Sequence, residues 1–327
     1  MSLLIKGRLR EDWLESEQED GEFVRKDSQF RNWVTVDGEP GPSGEGGFRA
    51  EPGRYHLYIS HACPWAHRTL IFRALKKLEE IISISVVHPY MGKQGWTFAE
   101  YPGATADSEN GFDYLHEVYA LAEPDYSGIV TVPVLWDKQR KTIVNNESSE
   151  IIRMLNSAFD EWADTRVDLY PDELRDDIDT INAFIYDNIN NGVYRTGFST
   201  TQDSYEKNLE RLFNALDKIE YHLKHQRYLV GEHITEADWR LFTTLLRFDP
   251  VYVGHFKCNL RRIMDYPNLS NYLRDLYQHP GIASTTNMEH IKVHYYTSHD
   301  SINPTGIVPK GPVLDYAAPH DRDRFVS

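Results

Sequence analysis

Between residues 55 and 87 the chain reads as strand, helix, strand, and that order constrains what can form around it. Tyr55-His56-Leu57-Tyr58-Ile59-Ser60 is a short apolar run of strand character. Thr69-Leu70-Ile71-Phe72-Arg73-Ala74-Leu75 lies inside an apolar helical pattern over 64–78. Ile81-Ile82-Ser83-Ile84-Ser85-Val86-Val87 is a second strand run. Two strands joined through one helix form a parallel pair with a right-handed crossover.

Cys63-Pro64-Trp65-Ala66-His67-Arg68 occupies the turn from the first strand into the helix. The unpaired N–H groups and the positive end of the helix dipole favour an anion there. Proline at the first helical position loses no hydrogen bond. A cysteine so placed can titrate at roughly 3.5–7.5 instead of about 8.5, and its thiolate is a nucleophile. Position 66 is Ala, so this is half of a Cys-x-x-Cys: the thiol can attack, but no local partner resolves the product. His67 and Arg68 either lower the thiol pKa or point to solvent.

The remaining pattern gives two halves and two extensions. Residues 1–50 are polar, contain Asp37-Gly38-Glu39-Pro40-Gly41-Pro42, and read as an extended arm. Residues 51–165 hold the strand–helix–strand unit, a polar insertion around Trp96 at 88–110, a helix at 111–122, a hairpin from Thr131-Val132-Pro133-Val134-Leu135-Trp136 and Lys141-Thr142-Ile143-Val144, and a helix opened by Glu147-Ser148. Residues 166–300 read as an all-helical domain: from about 172 onward strand signals vanish and helical periodicity is found at 172–192, 203–225, 235–248, 267–277 and 287–296. Thr235-Glu236-Ala237-Asp238 has capping-box spacing. The Pro- and Gly-rich stretch 301–327 reads as an irregular tail.

A formal charge of −15 argues against a nucleic-acid or anionic-membrane surface. No apolar run approaches the roughly 18 residues of a membrane span, and the apolar core of the first residues is too short for a signal peptide. The only cysteines are Cys63 and Cys258, which is no disulfide framework and suits a reducing cytoplasm. The glycosylation sequons at Asn146 and Asn268 therefore carry almost no weight. Cys258 reads as a buried small hydrophobe. His290 and His294 have a metal-ligand spacing, but HExxH is absent and no third ligand is evident, so no metal site is expected.

Three pieces of the first half fit one purpose. The first is the Cys63 turn. The second is Pro133, which cannot donate to a ladder; a cis bond there would let Val134 offer free backbone groups beside the thiol to a peptide-like ligand. The third is Glu147-Ser148, where a helix start binds a carboxylate and a nearby acid holds an ammonium group. A thiol, a strand-pairing edge and a site for an α-amino acid head together describe glutathione. Each piece also has a plainer reading: Pro133 as an edge-strand proline, Glu147-Ser148 as a helix cap, Trp96 as packing.

Cys-Pro-Trp-Ala, Val-Pro-Val and Glu-Ser resemble a glutathione transferase with a thioredoxin-like α/β domain followed by an all-helical domain. More closely, the chain resembles the glutathionyl-hydroquinone reductases, the xi class of that superfamily. The likeness includes Phe30-Arg31-Asn32-Trp33, Gly95-Trp96-Thr97-Phe98, Asn190-Asn191-Gly192-Val193-Tyr194, Arg247-Phe248-Asp249-Pro250-Val251-Tyr252, His294-Tyr295 and Asn303-Pro304-Thr305-Gly306. The resemblance implies Cys63 as nucleophile and Trp96, Val134, Glu147 and Ser148 as glutathione contacts. It implies Tyr194, Tyr252 and Tyr295, from the helical domain, around an aromatic substrate, with Tyr194 or Tyr295 a candidate proton donor. It implies no bound cofactor, glutathione as co-substrate, and a homodimer. Three rivals share parts of the pattern: an omega-like thioltransferase or dehydroascorbate reductase, a conjugating transferase, and a non-catalytic binding module of the same fold.

Overall fold

The computed structural model describes residues 2–10, 18–19 and 21–325. Part of the expected arm therefore lies outside the described residues. In chain order come β1 (Ser2–Ile5), β2 (Arg8–Arg10), β3 (Gln18–Glu19), β4 (Glu22–Phe23), β5 (Tyr55–Ile59), α1 (Pro64–Leu75), β6 (Ser83–Val86), α2 (Leu115–Ala122), β7 (Gly128–Val130), β8 (Val134–Asp137), β9 (Thr142–Asn145) and α3 (Ser148–Ser157). After α3 the elements among the described residues are helical: α4 (Arg175–Ile185), α5 (Gly192–Gly197), α6 (Gln202–Leu223), α7 (Glu236–Arg247), α8 (Pro267–Gln278) and α9 (Met288–Thr297), with short 3-10 and π turns.

The chain divides into two units. One comprises Met1–Glu17, Arg25–Val167 and Thr285–Ser298; the other comprises Gln18–Val24, Asp168–Ser284 and His299–Ser327. Helix α9 thus belongs with the first unit, not with the helices that precede it in sequence.

The first unit is built on a four-stranded sheet of order β6-β5-β8-β9. β5 and β6 are parallel, as a strand–helix–strand crossover requires, whereas β8 and β9 are antiparallel. All five residues of β5 are buried, which its central place explains. A second sheet, β2-β1-β7, uses the first residues of the chain. Its strands are too short to carry a periodic signal, so the sequence reads that part as loop. Beyond β9 the arm continues the pairing: Asn32 N–H donates to the Val144 carbonyl at 3.0 Å and Asn146 N–H to the Phe30 carbonyl at 3.2 Å. Helix α9 is fixed by its histidines, His290 Nε2 to the Pro102 carbonyl at 2.7 Å and His294 Nδ1 to the Pro89 carbonyl at 2.9 Å. Each imidazole so used serves the backbone of the 88–110 insertion.

The second unit is centred on α7, whose every residue is buried. Its start carries the expected capping box between Thr235 and Asp238. Asp238 also accepts from Leu229 N–H at 2.9 Å and the Tyr272 hydroxyl at 2.7 Å. Burial pushes its carboxyl above the usual carboxylate range. A π turn at Tyr186–Asn190 interrupts the helix expected over 172–192, and another at Phe248–Tyr252 follows the helix expected over 235–248. The second contains Pro250, which has no N–H for an α-helical bond. Residues after 299 are irregular up to a 3-10 turn at Arg322–Phe325, where buried Arg322 donates to the carbonyls of Leu223 and Arg227, each at 2.8 Å. No helix among the described residues is long and apolar enough to cross a membrane.

Candidate active site

Cys63 is the N-cap of α1, with extended backbone (φ −77°, ψ 122°), Pro64 at the first helical position and no acidic residue in the first turn. The side chain is half-buried and free of any disulfide. Its thiol donates to the carbonyl of Val132 at 3.5 Å. The Val132–Pro133 peptide bond is cis.

This geometry corrects one sequence expectation. Val134 lies inside β8, in register with Tyr58 of β5, and is fully buried. It sits in the sheet interior, and the backbone that faces the thiol is that of Val132, on the other side of Pro133. The sequence could not separate the two because both flank the same proline. The Val132 N–H has no hydrogen-bond partner among the described residues.

Glu147 caps α3, its carboxylate accepting from Ser149 N–H at 3.0 Å. It also accepts from Ser28 of the arm at 3.3 Å. Ser148 opens the helix, and its N–H likewise finds no partner among the described residues. The Ser148 hydroxyl accepts from Arg68 at 3.4 Å, which ties the start of α3 to the helix carrying Cys63. Arg68 and His67 are both buried, so neither points to solvent. Arg68 lies over the Trp65 ring at 4.5 Å, and His67 Nε2 meets the Thr285 hydroxyl at 2.7 Å.

Trp96 is buried and stacks on His294 at 4.8 Å, with the planes 23° apart. Its Nε1–H is buried without a partner among the described residues. A buried donor of this kind costs about 1–3 kcal/mol unless something satisfies it. Tyr295, on α9, is edge-on to His294 at 5.3 Å. It therefore belongs to the first unit, although the sequence reading put it in the helical domain.

Tyr194 and Tyr252 stand in the second unit with their rings 6.1 Å apart. Tyr252 is carried by the Phe248–Tyr252 π turn, and Tyr194 follows the Tyr186–Asn190 π turn on α5. Phe256 stacks on Tyr252 at 5.5 Å and meets Tyr194 at 5.6 Å. Phe23, Phe198 and His299 extend the cluster, and His255 Nε2 lies 3.0 Å from His299 Nδ1. Gly197 makes the packing possible: a Cβ there would lie 2.2 Å from Phe256. Cys258 is buried nearby and burial pushes its thiol well up, as expected of an inert cysteine. No group of three or more His, Cys, Asp or Glu among the described residues could hold a metal.

Models of two domains match the chain: glutathione S-transferase, N-terminal domain, over residues 62–158, and glutathione S-transferase, C-terminal domain, over residues 202–275. Glutathionyl-hydroquinone reductase YqjG of Escherichia coli is 55% identical over 324 residues, covering 99% of both chains. Glutathionyl-hydroquinone reductase PcpF of Sphingobium chlorophenolicum is 56% identical over 312 residues, 95% of this chain and 96% of the relative. The glutathione-bound structure of YqjG superposes with a TM-score of 0.91 at 54% identity, covering 98% of this chain and 99% of that one. A xi-class glutathione transferase from Natrialba magadii gives 0.90 at 50% identity, covering 99% and 97%.

Proposed function

We propose, from the premise that this chain belongs to the glutathione transferase superfamily and within it to the xi-class glutathionyl-hydroquinone reductases, that Cys63 is its catalytic nucleophile. The observation that carries the reading is the setting of that thiol. It stands at a helix start beside the Val132 carbonyl. In the same unit, Val132 N–H, Ser148 N–H and Trp96 Nε1–H have no partners among the described residues.

The cysteinyl backbone of glutathione would pair with Val132 as an added strand. Its γ-glutamyl carboxylate would sit on the α3 N-terminus at Ser148, and its ammonium group beside Glu147. Trp96 would donate to the same ligand.

The reaction then runs in two steps. Cys63 thiolate attacks the sulfur of the glutathionyl-hydroquinone, forming an S–S bond and breaking the bond from sulfur to ring carbon. The ring carbon takes a proton and the hydroquinone leaves. A second glutathione thiolate attacks the Cys63 mixed disulfide, releasing glutathione disulfide and restoring the thiol. Because residue 66 is Ala, the resolving thiol comes from solution, and ping-pong kinetics follow. Tyr194, Tyr252 and Tyr295 are assigned to the hydroquinone, with hydrogen bonds to its oxygens and contact with its ring. Tyr194 and Tyr295 are the candidates for protonating carbon. The working form is a homodimer in a reducing cytoplasm, which the two free cysteines suit.

The test is anaerobic incubation with a glutathionyl-hydroquinone and excess glutathione, following hydroquinone and glutathione disulfide together. Equal release of both is expected. Cys63→Ala should lower turnover by at least about a thousandfold with its Tm unchanged, since it removes the nucleophile outright. Full activity in that variant would overturn the mechanism. Turnover of a simple glutathione mixed disulfide without hydroquinone release would assign a thioltransferase instead.

A further inference from the structure

Tyr119, on α2, is fully buried, and its hydroxyl joins two stretches of backbone that no single element connects. It donates to the Thr131 carbonyl at 2.9 Å. It accepts from the Asn146 side-chain amide at 3.1 Å and from Thr131 N–H at 3.3 Å. One O–H and two lone pairs are thereby all engaged. Thr131 immediately precedes Val132, the residue facing the Cys63 thiol. Asn146 immediately precedes Glu147 and Ser148, the start of α3.

Asn146 is itself held at its other end. Its side-chain oxygen accepts from Phe30 N–H at 3.2 Å, and its own N–H donates to the Phe30 carbonyl at 3.2 Å. The Phe30 ring stacks on Tyr126 at 5.5 Å and meets Tyr119 edge-on at 5.8 Å. The amide cannot turn away from Tyr119 without breaking a contact with the arm.

We propose that Tyr119 and Asn146 are a positioning pair that fixes the spacing between the Val132 backbone and the Ser148 N–H, so that one glutathione meets both at once. Neither residue touches the reacting atoms. The pair acts by preorganisation: two anchor points held at the right separation spare the ligand the cost of ordering them. This inference rests on the glutathione reading above.

The test is calorimetric titration of the full-length protein with reduced glutathione, paired with steady-state kinetics. Tyr119→Phe keeps the ring and removes the hydroxyl. The expected result is a Kd for glutathione raised about tenfold, kcat at saturating glutathione within about twofold of wild type, and an unchanged rate of Cys63 alkylation by iodoacetamide. A merely structural role would lower Tm and leave Kd where it was. Asn146→Ala should give a similar loss, and the double variant should lose little more than either single one, because both remove one connection. Tyr119→Phe binding within twofold of wild type, or additive losses in the double variant, would overturn the proposal. If Tyr119→Phe fails to fold, Asn146→Ala decides alone by the same Kd criterion. Absence of glutathione binding in the wild-type protein would instead overturn the reading beneath it.

Discussion

The first unit turns the Val132 carbonyl to the Cys63 thiol and leaves the Val132 N–H, the Ser148 N–H and the Trp96 indole N–H without partners among the described residues. In the second unit Tyr194 stands among rings: Tyr252, Phe256, Phe198, Phe23 and His299. Backbone donors at fixed positions suit a peptide ligand whose covalent structure is the same in every substrate. Stacked and edge-on rings suit flat aromatic area and tolerate variation in its substituents. On the proposed reading, the backbone groups serve the constant glutathione and the tyrosines serve the variable aromatic ring.

That contrast can be broken at three points. The largest expected effect is one in which the units should behave alike. His56 of the first unit sits between the hydroxyls of Ser83 at 2.7 Å and Ser85 at 3.0 Å. Burial holds its pKa at about 4, although Glu109 lies 3.3 Å away. Burial likewise lowers His255 of the second unit to about 4. An unfolded histidine takes up its proton near pH 6.5, so below that the unfolded chain binds more protons and stability falls with pH. Each histidine should contribute a loss of about 3 kcal/mol between pH 7 and pH 4. Urea unfolding of His56→Gln should show a shallower fall over that range than wild type; equal slopes would refute the account.

Next in size is Gly197→Ala, which drives a methyl against Phe256. Overpacking should cost about 1–3 kcal/mol, partly offset by about 1 kcal/mol of helix propensity. The measurement is Tm with glutathione affinity alongside; a lower Tm with unchanged affinity is expected. A matching loss of affinity would erase the division of labour between rings and backbone. The smallest effect is that of Trp96→Phe, which keeps the stack on His294 and removes only Nε1–H. Glutathione binding should weaken about fivefold, the worth of one hydrogen bond near 1 kcal/mol. No change by calorimetry would remove Trp96 from the ligand's contacts.

What could be read from the sequence was local. The strand–helix–strand order, the cysteine beside a helix-starting proline and the Glu147-Ser148 cap each depend on neighbours a few residues away, and patterns of that length are visible in one dimension. Val132 was missed because which side of Pro133 meets the thiol depends on where β8 enters the sheet. Tyr119 gave no signal, since a tyrosine that spans two loops looks like any core aromatic until the loops meet. The π turn at Tyr186–Asn190 was hidden inside the stretch 172–192, because an i to i+5 bond leaves the apolar periodicity almost intact, whereas that at Phe248–Tyr252 has a trace in Pro250. The place of α9 was hidden for a different reason: a helix says nothing of which unit its apolar face will join. Tyr295 followed it into the first unit.

The pairing of Asn32 and Phe30 with β9 has a consequence for the molecule in a crowded solution. An outermost strand with open N–H and C=O groups is a template on which any other extended chain can grow. Here the chain's own arm occupies that template, and Arg31 fastens it by pairing with Glu150 of α3. The stretch that composition marks as loose and polar thus serves as a built-in stopper, ending the sheet before a stranger can extend it.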